Sequence, residues 1–301
     1  MDTRNAPQRY YCRMIAIDLG SNTIRFIEYD GENWGKSFEK IVRTAENLNQ
    51  THAIGVNAIQ RIIDAITEAK SKLDFSSHPV VGYTTAAMRL ARNSKEALQS
   101  IKHATGIDFN IIDGEKEALL TLNAVRYRLS ALNIEPDSFL LADIGGGSTE
   151  LTRYTASEVQ TISLNFGIVT LSEEALIDVQ IQSFKDAIKG SIRDTSASLV
   201  LTAGTPTTIA AYLLGMDYES YDSEMINGYH LSLEGCYRVY DDLLGMDDST
   251  RARYVGVGRE NLIIAGILMV TAIYEVLGYS EAIIIDDGLR EGIALEYYNQ
   301  P

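Results

Sequence analysis

Apolar and polar positions fall into blocks whose period changes along the chain. MIAIDLG, from Met14, is an apolar run ending in Asp-Leu-Gly, and SNTIRFIEYD follows it, which predicts a strand, a tight turn and a second strand. Between Ala53 and Leu73 the apolar positions Ile54, Ala58, Ile59, Ile62, Ile63, Ile66 and Ala69 keep a helical period, so this segment reads as an amphipathic helix. Val80–Thr84 reads as a strand. A polar turn then leads to a helix from about Ser94, with Asn93 and Glu96 spaced as a capping box and Gly106 placed to stop it. LIIAGILMVTAIY, from Leu262, is too short for a membrane span and reads as a buried core helix. Strands, turns and helices alternate throughout, which predicts an α/β fold.

The second half opens as the first did. FLLADIGGGSTELTRY, from Phe139, repeats the strand, Asp, glycine turn and strand of the N-terminal segment, and Asp18 and Asp143 lie 125 residues apart, about one domain. Two related domains facing one another across a cleft are expected, though two unrelated hairpins of similar composition would give the same pattern.

Composition narrows the class. With 301 residues, 46% hydrophobic and 22% charged, the chain is that of a folded globular protein with a sizeable core. Cys12 and Cys236 are far apart, with no clustered histidines, which reads as bystander thiols in a reducing compartment rather than a zinc site or redox pair. No signal-peptide core precedes Met14, so a cytoplasmic location is the expectation. The net charge of −15 argues against nucleic acid or an anionic membrane as partner. All of that excess lies after Leu122, with its densest stretch between Asp217 and Asp248, which reads as a solvated face or a partner surface.

Asp143-Ile-Gly-Gly-Gly-Ser-Thr-Glu150 is the strongest local signal. Three glycines let backbone N–H groups approach an anion closely, and the flanking carboxylates suit a hard divalent cation. It is neither a Walker A loop nor a dinucleotide fingerprint. LVLTAGTPTTIAAYLL, from Leu199, reads as a strand, a turn at Gly204, and a helix capped by Thr205 with Pro206 first, aiming donors at the strand end. AIIIDDGLREGIAL, from Ala282, is a fourth strand, glycine turn and helix. Each could equally be a plain connection. Arg89 follows the strand ending VVGYTT and Glu117 sits in a helix's first turn, where the dipole alone would favour an acid.

Taken in order, IAIDLGSNTIRFI, TTAAMRLARN, IIDGEKEALL, LLADIGGGSTEL, LTAGTPTTIAA, GRENLIIAGILM and DDGLREG resemble the Ppx/GppA family of exopolyphosphatases and guanosine pentaphosphatases from about Met14 onward. The resemblance is to the short, two-domain members rather than the long ones with an added helical region. It implies two ribonuclease-H-like domains of the actin-like ATPase superfamily around a central cleft: residues 13–122 plus 291–301 as domain I and 123–290 as domain II. It implies Glu117 as the base that activates water, Asp143, Glu150 and Asp18 as carboxylates for magnesium or manganese, and Arg89 as a catalytic arginine on phosphate. Ser21, Asn22, Gly145, Gly146, Gly147, Ser148 and Thr149 match phosphate-contacting positions, and Gly204 and Thr205 a further turn lining the cleft. Polyphosphate and guanosine pentaphosphate are the implied substrates, and a homodimer the implied assembly. Lys116 departs from the family, which carries an acid there, and Glu260-Asn261 also departs. Two other readings compete: an acceptor-dependent kinase of the same fold, and a non-catalytic alarmone sensor. The charge split further predicts that a polyphosphate tail would follow domain I or Arg126 and Arg128, away from residues 217–248.

Overall fold

The computed structural model describes residues 13–172, 176–192 and 196–299. Its strands are β1 (Met14–Leu19), β2 (Thr23–Tyr29), β3 (Trp34–Ile41), β4 (Val80–Thr84), β5 (Asn110–Ile111), β6 (Ser138–Ile144), β7 (Thr149–Thr155), β8 (Val159–Leu164), β9 (Ser198–Thr202), β10 (Tyr229–Ser232) and β11 (Glu281–Ile284). The helices are α1 (Leu48–Thr51), α2 (Val56–Lys72), α3 (Ala86–Leu90), α4 (Ser94–Thr105), α5 (Gly114–Ala131), α6 (Ile168–Ser172) and α7 (Ile177–Ser191). They continue with α8 (Gly204–Leu213), α9 (Ser223–Ile226), α10 (Leu233–Leu244), α11 (Asp248–Val255), α12 (Glu260–Leu277) and α13 (Leu289–Asn299).

The sequence repeat is a repeat of topology. One sheet has the order β3-β2-β1-β4-β5 and the other β10-β11-β9-β6-β7-β8. In each, an antiparallel meander (β1–β3, β6–β8) continues through parallel strands on the far side of its first strand, with β10 added antiparallel at the second sheet's edge. β1 and β6 are central and covered on both faces, which is why they are near-continuous apolar runs. Ile15, Ile17 and Leu19 join one core, and Met14 and Ala16 another across the sheet. Asp18 stands on the Met14 face at the end of β1, and Asp143 on the Phe139 face at the end of β6.

Helix α5 belongs to both halves. Its Leu120 packs with Met14, Ile27 and Ile293 of α13, while its Leu122, Val125 and Leu129 pack with Phe139, Leu141 and Val200. A helix buried on two sides shows weak amphipathicity. The expected division at residue 122 falls inside this continuous helix, and α13 lies on β1, β2 and α5.

Gly106 ends α4 in a left-handed conformation, as expected. Asn93 stands at the N-cap of α4 as expected, but its side chain does not cap the helix: its amide accepts from the Ile54 N–H at 2.8 Å and donates to the Ile54 carbonyl at 3.0 Å, tying α4 to the start of α2. α12 packs against α6, α7, α8 and α10 within the larger core. Cys236 is buried and unpaired, and Cys12 lies outside the described residues.

Candidate active site

The ends of the two central hairpins meet. Each turn is closed by the same bond, Gly20 N–H to the Thr23 carbonyl and Gly145 N–H to the Ser148 carbonyl, both 3.0 Å. A Cβ on Gly147 would lie 2.6 Å from Ser21 Oγ and 3.0 Å from the Ala86 Cβ. None of the three consecutive glycines takes a positive φ, so the contact between the turns, more than the turn's own twist, requires them. Beside this contact opens a cleft of about 580 Å³ that receives Asp18, Ser21, Asn22, Glu117, Asp143, Gly145–Ser148 and Gly204. Among the described residues, the N–H groups of Ser21, Asn22, Gly146, Gly147 and Ser148 have no hydrogen-bond acceptor. Ser21 Oγ and Asn22 Oδ1 are buried with no partner. Free amides converging on a cavity with orphaned polar atoms make a site for an oxyanion.

Asp18, Glu117 and Asp143 line this wall, and a fourth carboxylate, Glu150, crowds them from just behind it. Asp143 and Glu150 are direct cross-strand neighbours between β6 and β7. Burial, then the charge of Asp143, pushes Glu150 up to about 7, against hydrogen bonds from Ser163 and Ser148. Burial raises Asp143 as well, opposed by Thr121 and Arg25. Asp18 rises to about 6 through burial and Asp143, with Arg25 opposing. Glu117 lies well above the usual carboxylate range, mainly through burial and then through Glu150, with Arg89 and its hydrogen bond working the other way. Such crowding is relieved by a cation. Among the described residues no three His, Cys, Asp or Glu side chains converge closely enough to chelate an ion by themselves. A donor set of one or two carboxylates beside an anion cradle fits Mg2+, which keeps waters and takes further oxygens from a phosphate.

Several expected site residues are engaged otherwise. Arg89 Nη1 donates to Glu117 Oε2 at 2.8 Å and to the Ile112 carbonyl at 2.9 Å, behind the cleft lining. Thr149 Oγ1 donates to the Phe166 carbonyl at 2.7 Å and is wholly buried. Thr205 does not cap α8, because the helix already starts at Gly204 after Ala203; its side chain faces α12, where a Cβ on Gly266 would lie 2.3 Å from Thr205 Oγ1. Glu150 also lies behind the lining. Arg128 holds Asp287 through Nε at 2.6 Å and Nη2 at 3.3 Å and adds Glu224 at 3.2 Å, so its charge is matched. Arg126 lies over the Tyr154 ring at 4.5 Å.

The cleft also contains residues that the sequence reading left without a role. Arg25, Arg259 and Arg290 line it together with Glu39 and Asp286. Arg25 stands opposite Asp18 as Glu150 stands opposite Asp143, so aligning the two hairpins would have singled it out. The Arg259 guanidinium has no hydrogen-bond partner among the described residues, and burial lowers its pKa with Glu39 opposing. Arg290 is paired with Glu291 and Asp286. Tyr218 and Tyr221, at the start of the acidic stretch, form part of the wall, so that stretch is not only solvated surface.

The model of the Ppx/GppA phosphatase family matches residues 36–300. Exopolyphosphatase 1 of Mycobacterium tuberculosis is 30% identical over 213 residues, covering 66% of this chain and 60% of that protein. The guanosine-5'-triphosphate,3'-diphosphate pyrophosphatase of Vibrio vulnificus is 28% identical over 309 residues, 95% of this chain and 59% of that protein. The chain spans from 46% to 60% of the length of the first curated relatives it matches. Among solved structures, the Aquifex aeolicus Ppx/GppA family member superposes with a TM-score of 0.76 at 26% identity, covering 96% of this chain and 99% of that one. The fold of both halves is thus the actin-like ATPase fold expected from the motifs.

Proposed function

The chain belongs to the Ppx/GppA phosphatase family, and on that premise we propose that it is a phosphohydrolase releasing the terminal phosphate of inorganic polyphosphate, of guanosine pentaphosphate, or of both. The observation that carries this reading is Glu117: a buried carboxylate on the cleft wall, with Oε2 held by Arg89 and Oε1 without a hydrogen-bond partner among the described residues. A base with its pKa raised toward the working pH takes a proton from water most effectively. Arg89 fixes the plane of that carboxylate and limits how far its pKa climbs. The free amides of Ser21, Asn22 and Gly146–Ser148 receive the terminal phosphate, whose equatorial oxygens gain charge stabilisation from fixed donors.

Asp143 and Glu150 are the residues that would hold Mg2+, or Mn2+ in its place, with Asp18 close by. When bound, the ion neutralises charge on the transferring phosphate. Asp18 faces Arg25, which moderates its charge and gives it an electrostatic part rather than that of a sole ligand. The sensor reading leaves the buried carboxylate of Glu117 on the cleft wall without work. Phosphate release measured side by side on short polyphosphate, long polyphosphate and guanosine pentaphosphate, with Mg2+ and with EDTA, tests the proposal. Release on at least one substrate, abolished by EDTA, is expected; silence on all three, or release only with an added acceptor, overturns it.

A further inference from the structure

Two hydroxyls outside the cleft lining touch the two carboxylates assigned to the cation. Thr121 Oγ1 donates to Asp143 Oδ2 at 3.1 Å, and Thr121 is wholly buried. Ser163 Oγ donates to Glu150 Oε1 at 2.7 Å from the adjacent strand, where Glu150 and Ser163 are paired in register. Both hydroxyls are keyed to one helix. Thr121 lies one turn after Glu117 on α5, on the same face. Ser163 packs on the first residue of α5: a Cβ on Gly114 would lie 2.4 Å from the Ser163 Cβ and 2.5 Å from its Oγ. Neither hydroxyl faces the cleft, so neither can touch substrate.

We propose that Thr121 and Ser163 are positioning residues that orient Asp143 and Glu150 toward a divalent cation, with α5 setting both of them and Glu117 in one frame. This rests on the reading of Asp143 and Glu150 as cation ligands. Thr121 engages one oxygen of Asp143, leaving the other to the ion, and Ser163 together with Ser148 holds the carboxylate of Glu150. Hydrogen bonds behind a ligand hold its geometry at a cost of about 10–100-fold in metal affinity when removed. A shift of α5 moves the base and both ligands together, which keeps their spacing.

The test is direct Mn2+ binding, followed by the loss of free-ion signal in electron paramagnetic resonance, on the wild type, Thr121→Val, Thr121→Ser and Ser163→Ala. Thr121→Val and Ser163→Ala are expected to weaken Mn2+ binding about 10–100-fold, and Thr121→Ser to stay within about threefold. Ser163 is exposed, so its variant keeps the test open if Thr121→Val fails to fold. A wild type that binds Mn2+ and a folded Ser163→Ala that binds it equally well overturn this inference alone. A wild type that binds no Mn2+ overturns it together with the cation reading.

Discussion

The guanidinium of Arg89 is bonded to the carboxylate of Glu117 at 2.8 Å, and the same nitrogen anchors to the Ile112 carbonyl at 2.9 Å. The arginine that follows β4 is therefore bonded directly to the carboxylate proposed as the base. Removing it takes away the charge that lowers the Glu117 pKa, so burial and Glu150 push that pKa higher still. Arg89→Gln is expected to move the acid limb of the kcat/KM profile to higher pH. An unchanged limb with raised KM for the substrate would mean that Arg89 serves elsewhere.

Asp18 gives a stability prediction with a definite sign. Its pKa rises from 3.8 unfolded to about 6 folded, so the folded state holds more protons between those values. Stability from this group is complete below pH 3.8 and is lost as pH rises through about 6, roughly 3 kcal/mol in all. In metal-free buffer Asp18→Asn should flatten the fall in Tm between pH 4 and 7 and exceed the wild type in Tm at pH 7. Parallel Tm–pH curves for the two proteins would contradict the burial assigned to Asp18.

Ala203 joins β9 to α8 with φ 77 and ψ 177, a region that belongs to glycine. Relief of roughly 1–3 kcal/mol of strain exceeds the roughly 0.5–1 kcal/mol that glycine's extra freedom costs. Ala203→Gly should raise the denaturant midpoint by an amount worth about 1 kcal/mol at unchanged slope. A lower midpoint would show that the backbone there is unstrained.

Gly147 meets Ser21 across the two hairpin turns. Gly147→Ala should cost about 1–3 kcal/mol of stability by overpacking and raise KM, because the displaced groups include the free amides. Adding Ser21→Ala removes the nearer of the two contacts and should recover part of the stability. If the single variant unfolds as the wild type does, the turns are further apart than described.

What was legible in the sequence follows from what is local. β1 and β6 stood out because strands covered on both faces carry uninterrupted apolar runs, and Asp18 and Asp143 because they break those runs at the same place. Gly106 was legible because a left-handed stop needs glycine. Asn93 was legible as the N-cap position of α4, but not its side chain's role, because that side chain serves Ile54, 39 residues away, rather than its own helix. Thr205 was misread because Gly204 and Ala203, not a hydroxyl, begin α8, which turns Thr205 onto α12. Arg89 and Glu117, 28 residues apart, were each named but not as a pair, and Arg25 was missed because its importance lies in register with Asp18. Pairings of this kind are decided by tertiary packing, which spacing along the chain does not carry.

The central claim is that Glu117 activates the water that attacks a terminal phosphate. The most direct measurement is steady-state phosphate release by the wild type and by Glu117→Gln on short polyphosphate and on guanosine pentaphosphate, at saturating Mg2+, with folding of both checked by thermal unfolding. Turnover on the substrate that the wild type accepts should fall about 10²–10⁴-fold; a loss smaller than about tenfold in a folded variant would contradict it.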